Sequence, residues 1–160
     1  MSSDPAGELR HVMQRLFRRF GALSADSTPC GKPLPMAHAH ALMVLLEQGE
    51  LTQQELGKAL NIDKSNVARL CAKMVDAGHA SQKPNARDGR SRLVSLTASG
   101  KRLAREVDAA SHARFEALLA GMPVRLRREL VSSLSQLVEA METSLGESVE
   151  SSARGEGSTP

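Results

Sequence analysis

Apolar residues at Leu9, Val12, Met13, Leu16, Phe17 and Phe20 recur at three- and four-residue spacing, with Arg10, Gln14, Arg18 and Arg19 mostly opposite. That stripe predicts an amphipathic helix over 8–23. Three prolines and a glycine within 26–35 predict a connecting loop. A second helix is predicted over 35–48, with Pro35 suited to its first turn and Gly49 closing it. Its run Ala-Leu-Met-Val-Leu-Leu at 41–46 is apolar nearly all round, so this helix belongs deep in the core.

The next segment carries stronger local signals. Thr52-Gln-Gln-Glu55 has the spacing of a capping box, in which the Thr hydroxyl and the Glu carboxylate satisfy reciprocal backbone donors. A short helix should follow to Leu60, with Leu56 and Leu60 inward. Asn61-Ile62-Asp63 breaks it, and Asp63 can cap a further helix over 64–77 whose inner face reads Val67, Leu70, Cys71 and Met74. Gly78 is placed to end that helix. Two capped helices joined by a three-residue turn predict a helix-turn-helix.

After Gly78 the period changes. Residues 80–83 and 92–96 can pair as strands around the tight-turn dipeptide Asp88-Gly89, which predicts a β-hairpin wing. Thr97 then caps a long helix to about Leu119, and Gly121-Met122-Pro123 interrupts it. A last helix is predicted over 124–145, with Leu126, Leu130, Leu134, Leu137, Met141 and Leu145 on one face. Residues 147–160 are rich in Ser, Gly and Glu with almost no apolar residue, and disorder is expected there.

Composition narrows the class. The 160 residues suffice for one domain with a working core. Aromatic residues make up only 2%, so a core of Leu, Val, Ala and Met suits helix-on-helix packing. Nothing at the N-terminus reads as a signal peptide, and no segment offers the roughly 18 consecutive apolar residues of a membrane span. Two cysteines are too few for a disulfide scaffold, so a cytoplasmic location is expected. The net charge of +3 is unevenly spread: Lys58 to Arg105 holds eleven basic residues against three acidic ones. A basic middle between neutral or acidic flanks is an electrostatic footprint for a polyanion.

The predicted elements place those cations well for duplex DNA. With Val67, Leu70 and Met74 inward, Lys64, Ser65, Asn66, Arg69 and Lys73 point outward near the start of the second helix of the pair. Ser65 and Asn66 can bond base edges or phosphates, Arg69 can chelate guanine, and the lysines add charge. At the wing, Arg87, Arg90 and Arg92 can lay a guanidinium in the minor groove. Asp88 beside them would repel phosphate, so it either orients an arginine or forms the turn.

These residues resemble the MarR family over roughly 8–145. The resemblance is carried by Leu-Thr-Gln-Gln-Glu-Leu (51–56), Lys-Ser-Asn-Val-Ala-Arg-Leu (64–70), Met-Val-Asp-Ala-Gly-His (74–79) and the stretch from Arg87 to Lys101. Within that stretch, Asp88, Arg90 and Leu96-Thr97-Ala98-Ser99-Gly100 follow the family's wing signature. The resemblance implies a mainly α fold: a winged helix-turn-helix DNA-binding head with a small β-hairpin wing and a helical dimerisation region. Residues 1–34 would form an N-terminal dimerisation helix and loop, 35–100 the DNA-binding region, 101–146 the C-terminal dimerisation helices and 147–160 a disordered tail. It further implies a homodimer, usually a repressor, reading a pseudo-palindrome with half-sites about one helical turn apart. The long apolar stripes at both ends independently call for a partner, because one small head cannot cover both.

The resemblance also implies an effector: a small anionic or phenolic ligand, an oxidant, or a metal. His11, Arg15 and His40 are the candidate liners of a ligand crevice. Cys30, His38, His40, Asp108 and His112 are the candidates for a regulatory zinc. Against zinc, His38 and His40 are two apart and cannot face the same way on a helix, and no close-spaced Cys/His signature is present. Cys71 lies on an inward face, where a thiol is usually inert, whereas Cys30 in a loop is the more oxidisable. No nucleophile elbow, phosphate loop or tight metal motif occurs, so an enzyme is not expected, and no cofactor is called for.

Overall fold

A computed structural model describes the backbone of residues 4–154 and the side chains of 4–144. The element order is α1 (Pro5–Phe20), α2 (Met36–Gln48), β1 (Leu51–Thr52), α3 (Gln53–Leu60), α4 (Lys64–Asp76), β2 (Ala80–Pro84), β3 (Arg92–Leu96), α5 (Ala98–Ala120) and α6 (Val124–Arg154). Two compact units divide the chain, Met1–Arg114 and Phe115–Pro160.

The first unit is built around α2. Its Ala39, Ala41, Leu42 and Leu45 are buried, as the all-round apolar run predicts. Against them pack Leu56 of α3, Val67, Leu70, Cys71 and Met74 of α4, and Val94 and Leu96 of β3. Ala104 and Val107 of α5 complete this core, so the unit extends past the expected boundary at residue 100. The cause is that α5 is one continuous helix whose first turns bury Gly100, Ala104 and Val107 in the head.

The wing is a three-stranded antiparallel sheet of order β1-β3-β2, not a lone hairpin. Leu51 pairs with Val94 and Thr52 with Leu93, while β2 runs from Ala80 opposite Leu96 to Pro84 opposite Arg92. The two-residue β1 gives the central β3 a partner on its second edge and leads directly into α3. Helix α1 begins with Asp4 accepting from the Gly7 N–H and buries none of its residues.

In the second unit, α6 continues through Arg154, into the segment expected to be disordered. Residues 147–154 contain neither Gly nor Pro, so an established helix can propagate at one hydrogen bond per residue without a breaker. The remainder of that tail, 155–160, lies outside the described residues.

Candidate nucleic-acid interface

The helix pair is held by caps that the spacing predicts. Thr52 Oγ1 accepts from the Glu55 N–H at 3.2 Å, and a Glu55 carboxylate oxygen accepts from the Thr52 N–H at 2.7 Å. The Thr52 N–H first, and the Thr52 hydroxyl donating to the same carboxylate oxygen at 2.8 Å second, hold the Glu55 carboxyl below its ordinary range. Asn61 ends α3 in the left-handed region at φ 52°, which Asn tolerates better than most residues. Asp63 Oδ1 then accepts from the Asn66 N–H at 2.8 Å and starts α4.

The chain packs closely on α3 at Gly57. A Cβ there would stand 3.3 Å from both the Ile62 carbonyl oxygen and Val67 Cγ1. Sequence reasoning passed over this residue. Its signal was a lone glycine inside a helical pattern, which lowers helix propensity and needs a packing reason.

The inner face of α4 is sealed and the outer face is open. Val67, Leu70, Cys71 and Met74 are buried, whereas Lys64, Ser65, Asn66, Arg69 and Lys73 are all exposed. The ion pairs Lys32–Glu106 and Lys83–Glu50 draw on none of those cations. The one carboxylate at this end, Asp63, sits below its ordinary range, mainly through the Asn66 N–H and further through the Asn66 side chain, the Ser65 N–H and the Arg69 charge.

Across from α4 stands the wing tip, where Arg87, Asp88, Arg90 and Arg92 are exposed. Asp88 is the turn-former: its Oδ1 accepts from the Arg90 N–H at 3.1 Å, and its carbonyl accepts from both the Ser91 N–H and hydroxyl. Among the described residues no ion pair ties it to an arginine. Asn85 braces the same turn, accepting from the Arg87 N–H and donating to Ser91 Oγ. Between this tip and the start of α4 lies a groove of about 790 Å³. Lys58 and Lys64 line one wall and Arg90 and Arg92 the other, and these cations outnumber the Asp63 and Asp88 carboxylates that share the lining.

A hydrogen-bonded joint fixes the wing to the end of α4. Thr97 Oγ1 donates to the Gly78 carbonyl at 2.7 Å and accepts from the Gly100 N–H, while the Thr97 N–H donates to the His79 carbonyl. A Cβ on Gly100 would fall 1.8 Å from that His79 oxygen, which explains why Leu-Thr-x-x-Gly needs its glycine. The His79 ring in turn meets buried His38 of α2, with Nδ1 and Nε2 3.1 Å apart and one of them donating. Burial first, and the His79 charge second, push the His38 pKa below its ordinary value.

The remaining candidates are dispersed. His11 Nδ1 bonds the Gly7 carbonyl of its own helix, and Arg15 and His40 are exposed; among the described residues no hydrogen bond or ion pair joins the three. The five zinc candidates do not converge, and among the described residues no three His, Cys, Asp or Glu side chains stand close enough to hold a metal ion. His38 is committed inward to His79 while His40 faces out, and Cys30 Sγ meets Thr28 Oγ1 at 3.0 Å. Cys71 is fully buried, and burial raises its thiol pKa, so its thiolate is disfavoured. Among the described residues no helix is long and apolar enough to cross a membrane.

A short capped helix pair followed by a three-stranded wing, both presenting cations, defines a winged helix-turn-helix of the DNA-binding kind. Comparisons with known proteins agree. The profile described as MarR family matches residues 32–91. An uncharacterized HTH-type transcriptional regulator of Mycobacterium leprae is 30% identical over 114 residues, 71% of this chain and 74% of the relative. The structure of Streptococcus pneumoniae FabT in complex with DNA superposes with a TM-score of 0.72 at 16% identity, covering 86% of this chain and 98% of that one. A Bordetella bronchiseptica BpsR structure, described by the regulation of its DNA binding by 6-hydroxynicotinic acid, gives 0.69 at 23% identity over 82% and 98%. The chain belongs to the MarR family and is a transcription regulator with a DNA-binding fold, not an enzyme.

Proposed function

We propose that this chain is a cytoplasmic repressor that binds a pseudo-palindromic operator as a homodimer and is released by a small anionic or phenolic effector. The observation that carries the DNA part is the cation-walled groove between the start of α4 and the wing tip. Ser65, Asn66 and Arg69 would meet base edges in the major groove. Lys64 and Lys73 would neutralise phosphates, and Arg87, Arg90 and Arg92 would reach the minor groove beside it. Asp88 holds the tip in the turn that presents those arginines.

The homodimer is supported by apolar side chains left in solvent: Leu9, Val12, Leu16 and Phe17 on α1, and Leu130, Leu134, Val138 and Met141 on α6. Such stripes are interaction surfaces rather than ordinary exteriors. A two-fold pair of heads then reads half-sites about one helical turn, ~10 bp, apart. The effector part rests on the likeness to BpsR, whose DNA binding is regulated by 6-hydroxynicotinic acid. His11, Arg15 and His40 are the residues offered to such an anion, on helices α1 and α2.

Selection of bound duplexes from a random pool tests the reading. Enrichment of a pseudo-palindrome, and its weakening by small aromatic acids, is the expected result. A pool that stays random at low salt would contradict it.

A further inference from the structure

At the start of α4 three side chains are joined in series. Asp63 uses one carboxylate oxygen for the Asn66 backbone N–H and the other for Asn66 Nδ2, and Asn66 Oδ1 accepts from Arg69 Nη2. The chemistry allows only this orientation of the amide. An ionised carboxylate can only accept and a guanidinium can only donate, so Asn66 must turn its NH₂ to Asp63 and its carbonyl to Arg69. One N–H and one lone pair of Asn66 stay free, the complement of adenine's major-groove edge. Arg69 keeps its other donors for guanine O6 and N7. Positions three apart share a helix face, so the two bases they meet are neighbours.

Capping alone does not account for Asp63. Ser, Thr and Asn cap helices about as well as Asp, and α3 uses uncharged Thr52. An exposed carboxylate beside a cationic groove repels phosphate and lowers affinity for every duplex alike. What a hydroxyl cap lacks is the second acceptor oxygen, the one that takes Asn66 Nδ2.

We propose that Asp63 is a positioning residue for base recognition: its second oxygen sets the Asn66 amide and, through it, the Arg69 guanidinium, as one unit that selects an adenine beside a guanine. This inference rests on the DNA-reading role proposed above. The unit sacrifices general affinity for discrimination, and the two quantities should therefore move in opposite directions when it is dismantled.

The test compares the full-length protein with Asp63→Ser and Asp63→Asn, both of which retain a capping oxygen. Thermal unfolding, random-pool selection and affinity for a random duplex are measured for each. The expected result is an unchanged unfolding midpoint, a wild-type half-site with adjacent adenine and guanine, and a loss of about ten-fold in discrimination at those bases in both variants. Affinity for the random duplex should rise. A wild-type operator whose base preferences both variants keep would overturn the positioning role while leaving DNA reading intact. So would a parallel fall in specific and random-duplex affinity, which is what a weakened cap alone produces. A wild type that enriches no operator would overturn the DNA-reading role itself, and this inference with it.

Discussion

The winged head and the helices α1 and α6 handle their apolar residues in opposite ways. In the head, Leu42, Leu56, Met74 and Val94 are fully buried, and the helix ends at Thr52 and Asp63 are capped. Helix α1 buries nothing, and α6 leaves Leu134, Val138 and Met141 half-exposed. The head is thus complete within one chain, while the stripes on α1 and α6 lack a covering surface. Stability of the reading surface and completeness of the assembly should therefore be separable by mutation.

The largest effect is expected from breaking the head at its tightest joint. Gly100→Ala would drive a methyl into the His79 carbonyl and cost about 3 kcal/mol, read as a lower midpoint in denaturant unfolding. An unchanged midpoint would mean that the Thr97–His79 joint can shift freely. Next comes the opposite region. The double variant Leu134→Glu/Val138→Glu should abolish dimerisation in sedimentation, weaken operator binding by about 100-fold through loss of the second head, and leave the head folded. A dimer that survives both charges would exclude this face of α6 from the interface.

A smaller effect is expected from pH. Because the folded state lowers the His38 pKa, the unfolded chain binds that proton more readily. The contribution is fully present above about pH 6.5, the ordinary His value, and is lost as pH falls through the lowered folded value. His38→Gln should flatten that acid limb of the stability profile; an identical limb in the variant would assign it to other groups.

The head was more legible in the sequence than its joints were. The Thr52 capping box, the Asp63 cap, the Asn61 break and the Asp88-Gly89 turn are local chemistry, written in nearby residues, and α3, α4 and the wing strands follow from them. β1 was missed because a two-residue strand has no period, and it exists only through pairing with β3. Gly57 and the His38–His79 pair were missed for a related reason: each acquires its role from a neighbour brought in by the fold, α4 for one and the end of the reading helix for the other. The zinc candidates shared nearby elements in sequence, yet His38 turns inward to His79, a preference set by burial rather than by spacing. The extension of α6 to Arg154 reflects continuation of a helix through polar residues that composition alone assigns to disorder.

The most direct measurement is the salt dependence of affinity for the selected operator, in the wild type and in Arg90→Ala. Phosphate contacts release counterions, so log affinity should fall steeply and linearly with log salt in the wild type. Taking the Arg90 guanidinium out of the minor groove removes one cation from the duplex, so the variant should bind more weakly, with a slope shallower by about one. A salt-independent affinity, or a variant indistinguishable from the wild type in both slope and strength, would contradict the placing of DNA between α4 and the wing.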